Sequence, residues 1–171
     1  MNKFALPQKG DYPVFYETYI SKISDDNFSD QIRSQIEELR ALFAAKGPGW
    51  DSMPYEEGKW TPKEVLGHMI DTERIMTFRA LCFARGEEKA LPGFDQDPYV
   101  VAGKFNEVSV DLLLQDFETQ RKALLTFINT LNENVLDFVG NANGNPITPR
   151  ALLWIIAGHF IHHFRILKER Y

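Results

Sequence analysis

All four histidines of this chain fall in two short phrases, Gly67-His68-Met69-Ile70 and Gly158-His159-Phe160-Ile161-His162-His163. Imidazole is a common transition-metal ligand and the side chain that exchanges protons near neutral pH. If both phrases are helical, His163 follows His159 by one turn, rotated by about 40° and raised by about 6 Å. Both can then offer a ring nitrogen to one ion, and His68 completes the set from a second helix. His162 is turned by about 60° the other way and fits the same ion less easily. Burying three imidazoles without partners is costly, and a single cation satisfies all of them. The competing reading is a set of core histidines with separate hydrogen-bond partners. A lone His-x-x-x-His spacing arises often by chance, so the third histidine carries the argument.

The donor set restricts the ion. Three neutral imidazoles suit zinc, nickel, iron(II) or copper(II) rather than calcium or magnesium. The paired Glu-x-x-His motifs of a di-iron bundle are absent. Three protein ligands leave at least one coordination position open, as in catalytic zinc sites. A water there can ionise near pH ~7, and a thiol there can be deprotonated. Asp71 and Glu73 follow His68 within about one turn. Asp71 is a candidate to orient a ligating histidine or to act as a base, and His162 a candidate to tune the ion from outside its ligand set. Glu73 reads as part of a solvated helix face. Arg121 reads as a side chain snorkelling to the bundle edge, with sensing of a substrate anion as the functional alternative. Cys82 lies about 21 Å along a helix from His68 and is expected to pack. Trp50, Trp60 and Trp154 read as core or rim aromatics.

Four helical segments must position these residues. The first runs from about Asp30 to Lys46, with Ile32, Ile36, Leu39 and Phe43 as its apolar stripe, and Gly47-Pro48-Gly49 ends it. A helical turn or two is expected earlier, near Val14 to Ile23. The second opens on Thr61-Pro62-Lys63-Glu64, a capping box with proline at the first helical position, and continues to about Arg85. The third follows Ser109 and runs to about Leu131. The fourth opens on Thr148-Pro149 and runs nearly to Tyr171. Val135 to Val139 is the best strand candidate but stands alone, so the chain reads as all-α, one domain over residues 1–171. Four amphipathic helices imply a bundle. The connection from Glu87 to Val108, extended, spans ~70 Å. It therefore permits the second and third helices to run parallel, and a connection of this length tends to line or cover a site.

Bulk properties exclude other classes. A net charge of −5 and a pI near 5.4 argue against nucleic-acid binding, which favours a basic stripe. One cysteine suits a reducing compartment. The N-terminal residues lack a signal-peptide pattern and no apolar run reaches the ~18 residues of a membrane span. The expected location is the cytoplasm, with no membrane partner.

Three stretches carry a family resemblance: Trp60-Thr61-Pro62-Lys63-Glu64-Val65-Leu66-Gly67-His68, Leu91-Pro92-Gly93-Phe94-Asp95-Gln96-Asp97, and Gly158-His159-Phe160-Ile161-His162-His163. Together they resemble the DinB-like (DinB/YfiT-type) metalloenzyme family, and the match covers most of the chain. The resemblance implies a four-helix bundle in up-down-down-up order with a long crossover between helices two and three. It implies a divalent metal, zinc or nickel first and iron next, on His68, His159 and His163. His162 lies outside the motif. The resemblance further implies a homodimer and a small-molecule substrate. Relatives include transferases that use low-molecular-weight thiols such as mycothiol or bacillithiol, and metal-dependent hydrolases. The expected function is activation of such a thiol for S-transfer to a small electrophile. The alternatives are a hydrolase using a metal-activated water and a non-catalytic metal-binding stress-response protein.

Overall fold

The computed structural model describes residues 4–24 and 27–171. After a 3₁₀ turn at Val14–Tyr16, α1 (Glu17–Ile20) and α2 (Phe28–Ala44) precede α3 (Pro62–Ala84). The crossover carries α4 (Gln96–Gly103) and a 3₁₀ turn at Phe105–Glu107, followed by α5 (Val110–Asn129) and α6 (Pro149–Glu169). The caps expected from sequence form. Thr61 Oγ1 accepts from the Glu64 amide at 3.2 Å while Glu64 Oε2 accepts from the Thr61 amide at 2.7 Å. Ser109 and Thr148 accept from the amides three residues on. The α2 start moves from Asp30 to Phe28 because Asn27 caps it, accepting from Ser29 and Asp30. Gly86, at φ 83°, adopts the left-handed conformation that closes α3.

The bundle of α2, α3, α5 and α6 is up-down-down-up, and its contacts show why. Tyr171 after α6 donates its hydroxyl to the Trp60 carbonyl before α3, so these two helices are antiparallel. Thr61 before α3 donates to Asn106 before α5 at 2.7 Å, and Glu73 meets Arg121 further along, so α3 and α5 are parallel. Gln35 of α2 donates to the Ala157 carbonyl of α6, and Trp50 after α2 donates to the Tyr171 carbonyl, so α2 and α6 are parallel too. The long connection is what permits the parallel α3–α5 pair, as the sequence anticipates.

One local expectation is corrected. Val135 to Val139 is not a strand: Glu133–Asp137 is a 3₁₀ turn. The strands are Gly140–Ala142 (β1) and Asn145–Ile147 (β2), an antiparallel hairpin with register Gly140 to Ile147. Asn143 and Gly144 turn it with φ of 54° and 78°, the paired positive values that an Asn-Gly hairpin turn supplies. The crossover is not simply extended, because Asp95 accepts from the Asp97 amide and starts α4. Its first residues are pinned to the hairpin: the Leu91 amide donates to the Asn141 carbonyl and the Asn143 amide to the Leu91 carbonyl. No helix is long and apolar enough to cross a membrane among the described residues.

Candidate metal centre

Antiparallel packing of α3 on α6 brings the two histidine phrases together. The glycine before each histidine is part of the reason. A Cβ on Gly67 would lie 2.3 Å from the Phe105 ring, and one on Gly158 would lie 2.4 Å from the Tyr19 carbonyl oxygen. The missing side chains let the crossover seat against α3, and α1 against α6, beside His68 and His159. This is the role of the repeated Gly-His pair.

His68, His159 and His163 are all buried, and one ring nitrogen of each falls within 4.8 Å of the others. His68 Nε2 and His163 Nε2 each lie 3.0 Å from His159 Nε2. An imidazole nitrogen carries either one proton or one in-plane lone pair. His159 Nε2 can therefore make a good hydrogen bond with at most one of its two neighbours. A cation at the meeting point satisfies all three, so the donor set fits a divalent metal. Burial acts the same way on each ring. It pushes His68 down to about 4, and it holds His159 and His163 well below the ordinary imidazole value, with the neighbouring histidines adding to the effect. All three are neutral at physiological pH, with lone pairs available.

The surroundings orient these rings. Thr72 Oγ1 lies 3.4 Å from His68 Nδ1, and the Trp60 ring packs on His68 with centroids 4.9 Å apart. Tyr19 sets its ring edge-on to both His159 and His162, at 5.4 and 5.5 Å. His163 Nδ1 is buried and has no hydrogen-bond partner among the described residues. His162 is half-buried, its ring 4.9 Å from that of His163, and burial lowers its pKa. Asp71, the other tuning candidate, is paired with Arg74 at 3.8 Å. The group at His68 Nδ1 is thus Thr72, one residue on.

A cavity of about 430 Å³ opens on this cluster, lined by His68, Thr72, Met76 and His159, by Phe15, Tyr16 and Tyr19, and by Phe94, Asp95 and Gln96 of the crossover. The crossover does line the site, as its length suggested. His163 also lines a separate cavity of about 270 Å³ with Trp60, Asp97 and Tyr171. Sequence reasoning missed the aromatic lining residues, Tyr19 among them, and the role of Thr72, although Thr72 shares the inward stripe of α3 with His68. The aromatic run Tyr12, Phe15, Tyr16, Tyr19 was the available signal for the first, and a polar residue on the inward stripe of α3 for the second. Glu73 and Arg121 are corrected outright. Neither reaches solvent, and Arg121 Nε donates to Glu73 Oε2 at 2.6 Å in the core.

The sequence profile of the DinB superfamily matches residues 22–167. A protein of Oceanobacillus iheyensis, named as a candidate metal-dependent hydrolase, is 26% identical over 119 residues, 68% of each chain. The solved structure of YfiT from Bacillus subtilis superposes with a TM-score of 0.74 at 18% identity, covering 86% of this chain and 87% of that one. YfiT is described as a probable metal-dependent hydrolase with an unusual four-helix bundle topology. At that identity the likeness is one of fold.

Proposed function

Because this chain belongs to the DinB superfamily, we propose that it is a metal-dependent hydrolase of small molecules, with His68, His159 and His163 holding one divalent transition metal. The observation that carries the reading is the convergence of three buried imidazole nitrogens, two of them, on His68 and His159, at the wall of a cavity large enough for a small molecule. The names given to the Oceanobacillus protein and to YfiT support hydrolysis as the reaction. An all-imidazole set suits zinc, nickel, iron or copper, of which we take zinc or nickel first and iron next.

When bound, the ion supplies Lewis acidity, polarising a substrate oxygen and easing loss of a proton from water or a thiol. The chain does the rest. Burial keeps the three imidazoles unprotonated. Thr72 steadies His68 through Nδ1, and Tyr19 and Trp60 fix ring orientation by packing. Phe15, Tyr16, Phe94 and Met76 hold the apolar body of a substrate and exclude water, while Asp95 and Gln96 place polar groups along the wall. His162, beside His163 but outside the cluster, tunes the local field. Asp71 pairs with Arg74 on the same helix.

S-transfer is the second reading, with a low-molecular-weight thiol in place of water. The size of the cavity favours keeping it, since about 430 Å³ has room for a small thiol beside an electrophile. Metal analysis and turnover of the isolated protein test both. One ion per chain is expected, lost in His68→Ala, His159→Ala and His163→Ala, with product formed from ester, amide or phosphoester substrates without added thiol. Turnover only with thiol selects S-transfer. Wild-type turnover by all three variants would sink both readings.

A further inference from the structure

His68, Thr72, Met76 and Arg79 follow one another at spacings of four, four and three, which places them along one face of α3. The first three line the cavity at the histidines. Arg79 lines a second cavity of about 120 Å³, walled also by Gly93, Asn143 and Asn145. Phe15, Tyr16 and Phe94 wall both cavities. The helical rise sets Arg79 about 16 Å from His68 along the axis.

Arg79 is 4% exposed. Its guanidinium donates to the Pro92 carbonyl at 2.7 Å, touches Met76 Sδ at 3.9 Å, lies beside the Tyr16 hydroxyl, and sits 5.9 Å from the Phe94 ring centroid. The fold's other two buried arginines are each neutralised: Arg121 by Glu73 and Arg150 by Asp137. Among the described residues no carboxylate forms an ion pair with Arg79, and no Asp or Glu lines its cavity. A guanidinium stays charged in proteins, and a buried charge without a counter-charge is costly. The acid of the larger cavity, Asp95, accepts from the Asp97 amide at the start of α4.

We propose that Arg79 is an anion subsite: it binds the carboxylate end of an elongated ligand whose apolar middle lies among Phe15, Tyr16 and Phe94 and whose far end reaches the histidines. The single cation and the absence of any further Lys or Arg from the lining match a monoanion rather than a phosphate dianion. The inference rests on the proposed hydrolase reading and narrows its substrates to small apolar or aromatic carboxylates. Arg79 would act in binding and placing the substrate, remote from the reacting bond.

The test compares binding of 4-phenylbutyrate and its neutral amide, 4-phenylbutyramide, by calorimetry on the purified protein. The acid is expected to bind about tenfold or more tighter, the scale of a charge-assisted hydrogen bond. Arg79→Gln should erase that advantage, Arg79→Lys should keep part of it, and His68→Ala should keep it whole. Equal binding of acid and amide to the unaltered protein overturns the subsite without recourse to any variant. So does an advantage that survives Arg79→Gln and vanishes in His68→Ala, which would put the carboxylate on the metal. Failure of the hydrolase reading shows instead as lost metal or turnover with the acid advantage intact, so the two failures are separable.

Discussion

Removing the charge of Glu73 should damage this fold more than removing the whole Glu73–Arg121 pair. Arg121 is 1% exposed and Glu73 3%. The guanidinium bonds Glu73 on α3 and Gln35 on α2, and stacks over Phe117 of α5 and Phe160 of α6 at 4.8 and 5.4 Å. Gln35 in turn donates to the Ala157 carbonyl at 3.2 Å, so all four bundle helices meet at one cation. In Glu73→Gln that cation keeps its burial and loses its counter-charge, which should cost about 3–5 kcal/mol. With a urea slope of about 2 kcal/mol/M for a chain of this size, the unfolding midpoint falls by about 2 M. Replacing both groups, Glu73→Leu with Arg121→Met, removes both desolvation penalties. Glu73 Oε1 lacks a partner among the described residues, so the bonding forfeited is chiefly that of Arg121 to buried Gln35 Oε1, about 1–3 kcal/mol. The double variant should therefore lose less stability than Glu73→Gln. Urea unfolding followed by circular dichroism and by tryptophan fluorescence, with Trp154 wholly buried, gives the midpoints and checks that the transition is two-state. A midpoint for Glu73→Gln within about 0.5 M of the parent, or a double variant as damaged as the two singles combined, refutes the reasoning.

Gly158→Ala should destabilise by about 1–3 kcal/mol through overpacking and weaken metal binding, because the obstructing atom is the Tyr19 backbone, which cannot rotate away; an unchanged midpoint and metal content would show that α1 is not held there. In Gly67→Ala the nearest obstructing atoms belong to the Phe105 side chain rather than to backbone, so its loss of stability should be smaller than that of Gly158→Ala, compared in the same urea series. In chelated protein, His68 is pushed down to about 4 from an ordinary 6.5 by burial. The unfolded chain takes up a proton there first, so stability held above about pH 6.5 is lost as pH falls toward 4, by about 3 kcal/mol in full. His159 and His163, lowered for the same reason, act in the same direction. Chelated His68→Gln should lose less over that window, and equal losses would contradict the assignment. Thr61→Ala should cost about 1 kcal/mol through the lost cap, read as a midpoint shift; it also breaks the bond to Asn106 that ties the crossover to α3.

Short-range patterns were enough for much of the fold. The cap pairs Thr61-Pro62 and Thr148-Pro149, the stripe Ile32, Ile36, Leu39, Phe43, and the one-turn spacing of His159 and His163 each depend on residues a few positions apart, where backbone geometry makes spacing informative. The Asn143-Gly144 hairpin turn is equally legible, although Val135 to Val139 is the more hydrophobic stretch. The α4 helix was harder to see, being short and without a clear apolar stripe.

The sequence by itself thus determined the four long helices, the Thr61, Ser109 and Thr148 caps and the three histidines able to share an ion. Tertiary structure decided which polar side chains answer one another. Glu73 looked solvated and Arg121 looked peripheral until α3 and α5 ran parallel and set them 2.6 Å apart. Arg79 resembled any other helical arginine until the fold buried it without a carboxylate. The physical reason is common to these cases: hydrogen-bond and charge partners tens of residues apart leave no periodic trace in the chain, and burial is a property of the whole assembly of helices.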